Sequence, residues 1–490
     1  MLGKIKGIGM RLTPVLNILG ILLAMLAGTM LLAMVADLVT GHQNWQAFAI
    51  SALITGFIGV SLWIANQDNT HIDLGLRQAF LLTNGAWISI GLFGALPLFL
   101  SDLDLSISDS LFESISGITT TGSTILPHIE SASAGILLWR ALLQWLGGIG
   151  IVVMAMAVLP MLSVGGMQLF KTESYDSAEK VIPRATQLAG GLFIAYTSLT
   201  AIWAFMLSLA GMPGFDALVH AMTTIATGGY STRTLSIGAF DSWMIEIIII
   251  GGMIAGSLPF AHYVALTYGG WRKLFEDPQV RWFLTLLAVI VILITFNLFQ
   301  QGYAALDAFR MASFNAVSIL TGTGYGTANF AAWGGFATTI LLICMFIGGC
   351  AGSTTCGVKI FRLQVLASTI KVQISRLLRP HGVVLAYYNK RPVSDSVMDA
   401  VMGFFYLYIL SFVVLATIIG LTGVDFETAL SGAATAISNV GPGLGSEIGP
   451  AGHFGTLPNP AKWAMCVGMI LGRLELFTVL VMLHPGFWRR

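Results

Sequence analysis

Ten stretches of this sequence are so long and apolar that they leave it few folds to choose from. They run over 13–37, 45–65, 74–100, 135–163, 186–210, 241–268, 281–300, 332–372, 398–422 and 461–484. A helix needs about 20 apolar residues to cross a hydrocarbon core of ~30 Å. In lipid the backbone must satisfy its own polar groups, so runs of this kind become helices. Composition agrees: 56% of residues are hydrophobic and only 10% charged, against about 25% charged in a soluble domain. The expectation is an all-α integral membrane protein. An even number of crossings puts both termini on one side. Most of the 24 Lys and Arg gather on that face, among them Lys4, Lys6, Arg11, Arg77, Lys171, Lys180, Arg184, Arg272, Lys273, Arg281, Arg362 to Arg391, Arg489 and Arg490. Arg140, Arg233, Arg310 and Lys462 fall on the other, while Lys359 and Arg473 lie inside apolar stretches. The positive-inside rule makes the rich face cytoplasmic. The first run, VLNILGILLAMLAGTMLLAMVADLV, exceeds a signal-peptide core and reads as a crossing.

Four segments between crossings are too short and polar to cross: LFESISGITTTGSTI, HAMTTIATGGYST, NAVSILTGTGYGT and GAATAISNVGPGLGS. Each follows an acidic residue (Asp109, Asp216, Asp307, Asp425) and reads as a short helix running into a Gly/Thr-rich stretch where helix fails. They align without gaps. A hydroxyl residue stands six positions before a glycine in every case: Ser116 and Gly122, Thr223 and Gly229, Ser318 and Gly324, Thr435 and Gly441. One such pair is cheap in a chain rich in Gly and Thr; four, each between two crossings, mark an internal repeat with a period of about one hundred residues. The expected organisation is a two-helix leader over 1–70 and four helix–loop–helix repeats over 71–165, 166–272, 273–392 and 393–490.

Irregular backbone at membrane depth survives only where protein buries it or where it lines a watery path. The third loop contains GTGYG, one residue from the TVGYG loop of potassium channels, where four loops around one axis replace an ion's hydration shell with carbonyl oxygens. The candidate filter residues are therefore Thr120, Thr121, Gly122 and Ser123; Thr227, Gly228, Gly229 and Tyr230; Gly322, Thr323, Gly324 and Tyr325; and Asn439, Val440, Gly441 and Pro442. Gly122, Gly229, Gly324 and Gly441, the residues common to all four, would hold K+, the transported ion. The short helices point their C-terminal ends, each with roughly half a negative charge, toward the same place. Asp102, Asp104, Asp109 and Glu113 are expected to draw cations to the mouth, or else simply to be solvated. No catalytic set competes: the eight His are scattered, and GGYST and GLGSEIG lack the lysine of a phosphate-binding loop. An enzyme is not expected, nor a cofactor bound by this chain, nor a nucleic-acid partner. Cys344, Cys350, Cys356 and Cys466 read as small buried thiols, since the Cys350–Cys356 spacing matches no familiar metal site.

Four degenerate potassium-channel-like repeats in one chain resemble the Trk/Ktr/HKT superfamily of cation uptake proteins. The two extra N-terminal crossings and NVGPGLG resemble its bacterial TrkH/TrkG branch. The resemblance implies potassium uptake across the bacterial inner membrane by a channel-like pore, or alternatively a potassium/proton symporter with a midplane site. It also implies a homodimer that docks a cytoplasmic ring of TrkA-type nucleotide-binding subunits. GGCAGSTTCGVK, residues 348–359, interrupts the eighth apolar run with small and polar residues. In the family such a loop gates the pore, which makes Gly348, Gly349, Ala351, Gly352, Ser353, Thr354, Gly357 and Lys359 gate candidates. Cys350 and Cys356 stand where the family pattern has small residues. Lys359 reads mainly as snorkelling to the cytoplasm. Arg473, in ILGRLELF, corresponds to a family arginine beneath the filter; Glu475, two residues on, faces another side of a helix and is a poor partner for it. The basic stretch KVQISRLLRPHGVVLAYYNKRPVSD suits a docked partner, anionic lipid or a topological anchor.

Overall fold

The computed structural model describes residues 12–67, 74–158, 165–167, 185–266, 271–382 and 384–489. Lys4, Lys6, Arg11, Lys171, Lys180, Arg184, Arg490, the end of the 135–163 run and the expected boundary at 70 lie outside them. The described chain is mostly helical. Seven helices are long and apolar enough to cross a membrane: Thr13–Thr40, Trp45–Ala65, Leu76–Phe99, Ala134–Met156, Ala189–Leu209, Pro278–Gln300 and Asp395–Gly420. The other three apolar runs are broken helices. The run over 241–268 is Trp243–Ser257 and Phe260–Leu266, bent by 98°, and 461–484 is Asn459–Arg473 and Phe477–Leu483, bent by 113°. The run over 332–372 is Gly334–Ile347 and Ile360–Leu378 with a non-helical loop between them. All three breaks fall in the second long helix of a repeat.

The first two helices pair through their glycines. A Cβ on Gly20 would lie 2.7 Å from the Gly59 carbonyl oxygen, and one on Gly59 would lie 2.9 Å from that of Gly20. Such close backbone approach is how helices gain contact where lipid is as apolar as leucine. The buried Asp37 of the first helix docks this hairpin on the rest. It accepts from the Gly135 N–H at 2.6 Å and from Ser133 Oγ at 3.1 Å, at the N-terminus of Ala134–Val153. A carboxylate there satisfies orphan donors and the helix dipole together.

Each predicted short helix forms: Ile107–Ile118, Gly214–Ile225, Ala305–Leu320 and Phe426–Ser438. Their first turns carry Asp109, Asp216, Asp307 and Glu427, and Asp425 caps the fourth by accepting from Thr428 N–H at 3.0 Å. The acid that precedes every loop is thus explained by helix initiation. The basic linker before the last repeat ends in a two-residue hairpin pairing Tyr387 with Pro392 and Tyr388 with Arg391. Asn389 and Lys390 take left-handed dihedrals at its tip, the turn geometry that matches strand twist.

Candidate functional site

The hydroxyl-x5-glycine spacing is a helix stop. In the first three repeats, the residue two before the glycine (Thr120, Thr227, Gly322) is left-handed, and its amide bonds back to Gly117, Thr224 or Ile319. The next amide reaches the carbonyl of the hydroxyl residue: Thr121 to Ser116 at 2.9 Å, Gly228 to Thr223 at 2.8 Å, Thr323 to Ser318 at 2.9 Å. Val440 makes the same bond to Thr435 at 3.1 Å after the left-handed Asn439. The double return of the first three repeats is the Schellman termination, and the fourth keeps its longer bond while the Asn439 amide goes to Thr435. The glycine then goes left-handed again, with φ of 84°, 78°, 85° and 110° at Gly122, Gly229, Gly324 and Gly441. Left-handed residues alternating with ordinary ones turn successive carbonyls to one side, whereas a strand alternates them. The hydroxyls fasten the stretch from behind. Ser116 Oγ donates to the Ser123 carbonyl at 2.6 Å and Ser318 Oγ to that of Tyr325 at 2.7 Å, while Thr435 Oγ1 accepts from Gly441 N–H at 2.8 Å.

The four loops close a ring. A Cβ on Gly122 would lie 2.1 Å from the Gly228 oxygen, and on Gly229, 1.8 Å from that of Thr323. On Gly324 it would lie 2.2 Å from the Val440 oxygen, and on Gly441, 2.8 Å from that of Thr121. The contact runs from each repeat to the next and from the fourth back to the first. Only a residue without Cβ fits at such a seam. Side chains lock the same seams. Tyr230 Oη donates to the Glu113 carbonyl at 2.8 Å, and Tyr325 Oη lies 2.5 Å from Thr223 Oγ1 and 3.3 Å from the His220 carbonyl oxygen. Glu113 and His220 are equivalent, nine residues before their glycines. Ser123 Oγ donates to the Gly441 carbonyl at 2.7 Å and Asn439 Nδ2 to Thr121 Oγ1 at 2.8 Å. Pro442 packs beside Gly324. Gln144 donates to the Gly228 carbonyl at 2.6 Å and accepts from Tyr230 N–H at 3.0 Å. A cavity opens on the ring, lined by the four glycines together with Ser123, Tyr230, Arg140 and Arg233.

The carboxylates expected at the mouth are mostly spoken for. Glu113 is fully buried against Arg140 at 2.7 Å, because a carboxylate at that depth requires a partner. Asp109 holds Lys462 at 2.6 Å, and Asp102 accepts from Asn44 Nδ2 at 2.6 Å; Asp104 is exposed. Arg233 and Arg310 pair with Asp216 and Glu246, each at 2.7 Å. Sequence reasoning missed Gln144, the tyrosine cuffs and the pairing of Glu113, whose partners lie on other elements.

The loop 348–359 wedges among the repeats. Gly348, Gly352 and Gly357 are left-handed, with φ of 75°, 74° and 80°. Thr355 Oγ1 accepts from Gly349 N–H at 3.1 Å, and Ser353 Oγ donates to the Cys350 carbonyl at 2.6 Å. Gln279 Oε1 accepts from Ala351 N–H at 3.0 Å. Breaking the helix at Ser257–Phe260 frees backbone groups that the loop satisfies: Cys350 N–H donates to the Ser257 carbonyl at 3.0 Å, and Phe260 N–H to that of Gly352 at 2.9 Å. Thr354 Oγ1 lies 3.1 Å from the Ile225 oxygen, at the C-terminus of the second short helix, 2.9 Å from that of Gly256 and 3.0 Å from Thr227 Oγ1. Arg473, 1% exposed, donates to the Thr354 carbonyl at 3.0 Å, to Cys356 Sγ at 2.7 Å and to the Gly147 carbonyl at 2.9 Å. Among the described residues no carboxylate lies within ion-pair distance of it. Lys359 does not snorkel. It is 2% exposed and pairs with Glu475 at 3.0 Å, and Glu475 also binds Arg362, a residue assigned from sequence to the basic face but fully buried. The break after Arg473 sets Glu475 and Leu476 left-handed, which turns the carboxylate toward both cations. The four cysteines are buried.

The sequence profile described as TrkH, cation transport protein, matches residues 44–487. The chain belongs to the TrkH family. It is 42% identical to the Trk system potassium uptake protein TrkI of Halomonas elongata, over 98% of both chains. It is 37% identical to the Trk system potassium uptake protein TrkH of Escherichia coli K12, over 98% of this chain and all of that one. The crystal structure of the potassium transporter TrkH from Vibrio parahaemolyticus superimposes with a TM-score of 0.90 at 36% identity, covering 98% of this chain and 100% of that one. A TrkH-family membrane protein with four helix–loop–helix units thus accounts for the apolar runs, the short helices and the broken second helices together.

Proposed function

We propose that this chain carries potassium into the bacterial cell through a pore on the axis of the four-loop ring. Carbonyls at Gly122, Gly229 and Gly324, with those of Thr120 and Thr121, Thr227, Gly322 and Thr323, and Asn439 and Val440, replace the ion's water shell, while the carbonyls of Gly228 and Gly441 are held by Gln144 and Ser123. The observation that carries the reading is the cyclic contact of each filter glycine with the loop after it. The relatives' activity, potassium uptake, supports the choice of ion. The loop 348–359 and Arg473 form the gate: a buried guanidinium with no carboxylate partner among the described residues, held on the loop, opposes a cation below the ring. In this reading the protein sits in the inner membrane with both termini cytoplasmic. It works as a homodimer and takes its regulation from a TrkA-type ring on the basic face, with no catalysis of its own. Rubidium uptake into proteoliposomes of purified protein tests the ion assignment. External K+ should compete with Rb+ and Na+ should not; equal competition overturns the assignment.

A further inference from the structure

We infer that Glu113 and Arg140 are positioning residues for ion selection: a buried ion pair that holds the first two loops at their shared seam. This rests on the potassium reading and adds to it two residues outside the loops. The side chains are 0% and 1% exposed, with Nε 2.7 Å from Oε1. Their remaining polar atoms are spent on the two loops. Glu113 Oε1 accepts from Thr124 Oγ1 at 3.0 Å, and Oε2 from Ile125 N–H at 2.9 Å. Arg140 donates from Nη2 to Thr124 Oγ1 and from Nη1 to the Ser231 carbonyl, both at 3.1 Å. Its guanidinium lies 4.0 Å from the centre of the Tyr230 ring. Thr124 and Ser231 are each the second residue after their filter glycine, so one pair grips the same position of two neighbouring loops.

The third and fourth repeats anchor the corresponding stretch with neutral groups, while in the second the buried Asp216 accepts from Thr232 Oγ1 at 2.8 Å and pairs with Arg233. Asn315 Oδ1 accepts from Thr327 N–H at 3.3 Å, and Ser431 Oγ from Leu444 N–H at 2.9 Å; both amides, like that of Ile125, belong to the third residue after the glycine. The charged pair adds a fork that spans two loops and a balance of charge, since Arg140 also lines the cavity at the ring. Unpaired, that cation would repel an approaching ion; Glu113 cancels it. Removing either partner also leaves a buried charge with its loop contacts broken.

The test is the K+/Na+ permeability ratio and the K+ conductance of the full chain in bilayers. Glu113→Gln should lower the ratio by about tenfold, the scale on which groups holding ion ligands act, and should lower conductance because Arg140 stands uncompensated. Arg140→Gln should lower the ratio similarly without lowering conductance. The double variant, a neutral Gln–Gln pair, should recover much of the ratio. Arg140→Lys keeps the charge and loses the fork; it should reduce the ratio at unchanged conductance, and it carries the test if Glu113→Gln is not recovered from membranes. A merely structural strut would lower yield and leave the ratio of the surviving protein alone. Unchanged ratios in Arg140→Lys and Arg140→Gln, measured against a selective wild type, overturn the inference. A wild type that does not prefer K+ sinks the potassium reading, and this inference with it.

Discussion

Gly322 and Gly324 stand two residues apart in one loop, yet they answer to different constraints. Both are left-handed, at φ of 68° and 85°. A Cβ on Gly322 would meet nothing nearer than the Asn439 oxygen at 3.4 Å, whereas one on Gly324 would overlap the Val440 oxygen at 2.2 Å. The other repeats already place Thr120, Thr227 and Asn439 at the position of Gly322, each at a dihedral cost of about 1–2 kcal/mol. Gly322→Thr is therefore expected to keep K+ selectivity and lose only some stability. Gly324→Ser adds a backbone collision at a seam of the ring and should lower the K+/Na+ permeability ratio about tenfold, since 1.4 kcal/mol corresponds to a factor of ten. Bi-ionic reversal potentials compare the two; equal effects would refute the ring geometry. The shared glycine was readable in the sequence because a Schellman stop is local: every bond it needs lies within seven residues. The environment of Glu113 was not, because its cation sits 27 residues away on the following helix.

At the scale of elements, the second long helices explain why one polar loop can sit at membrane depth. Pro259 announces the bend in the second repeat, since the residue before a proline is pushed out of helix, and Leu258 is extended at ψ 156°. No glycine or proline lies between Arg473 and Phe477, where the chain bends; Glu475 and Leu476 are held left-handed where the carboxylate meets Lys359 and Arg362, so that break became visible only with its partners. The bend at Leu258 exposes the carbonyls that the loop 348–359 caps, which makes Thr354 its principal tether to the filter side. Thr354→Val removes a hydroxyl serving Ile225, Gly256 and Thr227. With net hydrogen-bond contributions of about 1 kcal/mol each, a loss of 1–2 kcal/mol shifts a closed-to-open ratio by roughly 5–30-fold. Rubidium leak through the isolated protein should rise accordingly, and deleting 350–356 should raise it further. A folded deletion variant that stays silent would rule this loop out as the gate.

For the whole molecule, the decisive property is the sense of the symmetry. All four short helices end at a left-handed residue whose following amide returns to the hydroxyl residue, and all enter one ring with the same contact, glycine to the preceding carbonyl position of the next loop. That relation is rotation about an axis through the ring. Carriers built on inverted repeats relate their halves by an axis in the membrane plane and expose one midplane site alternately. In the proposed reading a rotational ring offers a continuous path, closed at one level by a loop from a single repeat, and ion movement then needs no exchange of the whole structure between two faces. The current through such a path should follow the K+ gradient alone. In planar bilayers with a loop-weakened variant, the reversal potential is expected to track the K+ ratio and to stay put when a pH gradient is imposed. Obligatory proton coupling would instead pull the reversal potential toward the combined gradient of both ions. A shift with pH at fixed K+ would therefore mean that protons travel with potassium, and that the ring is one station of a coupled cycle.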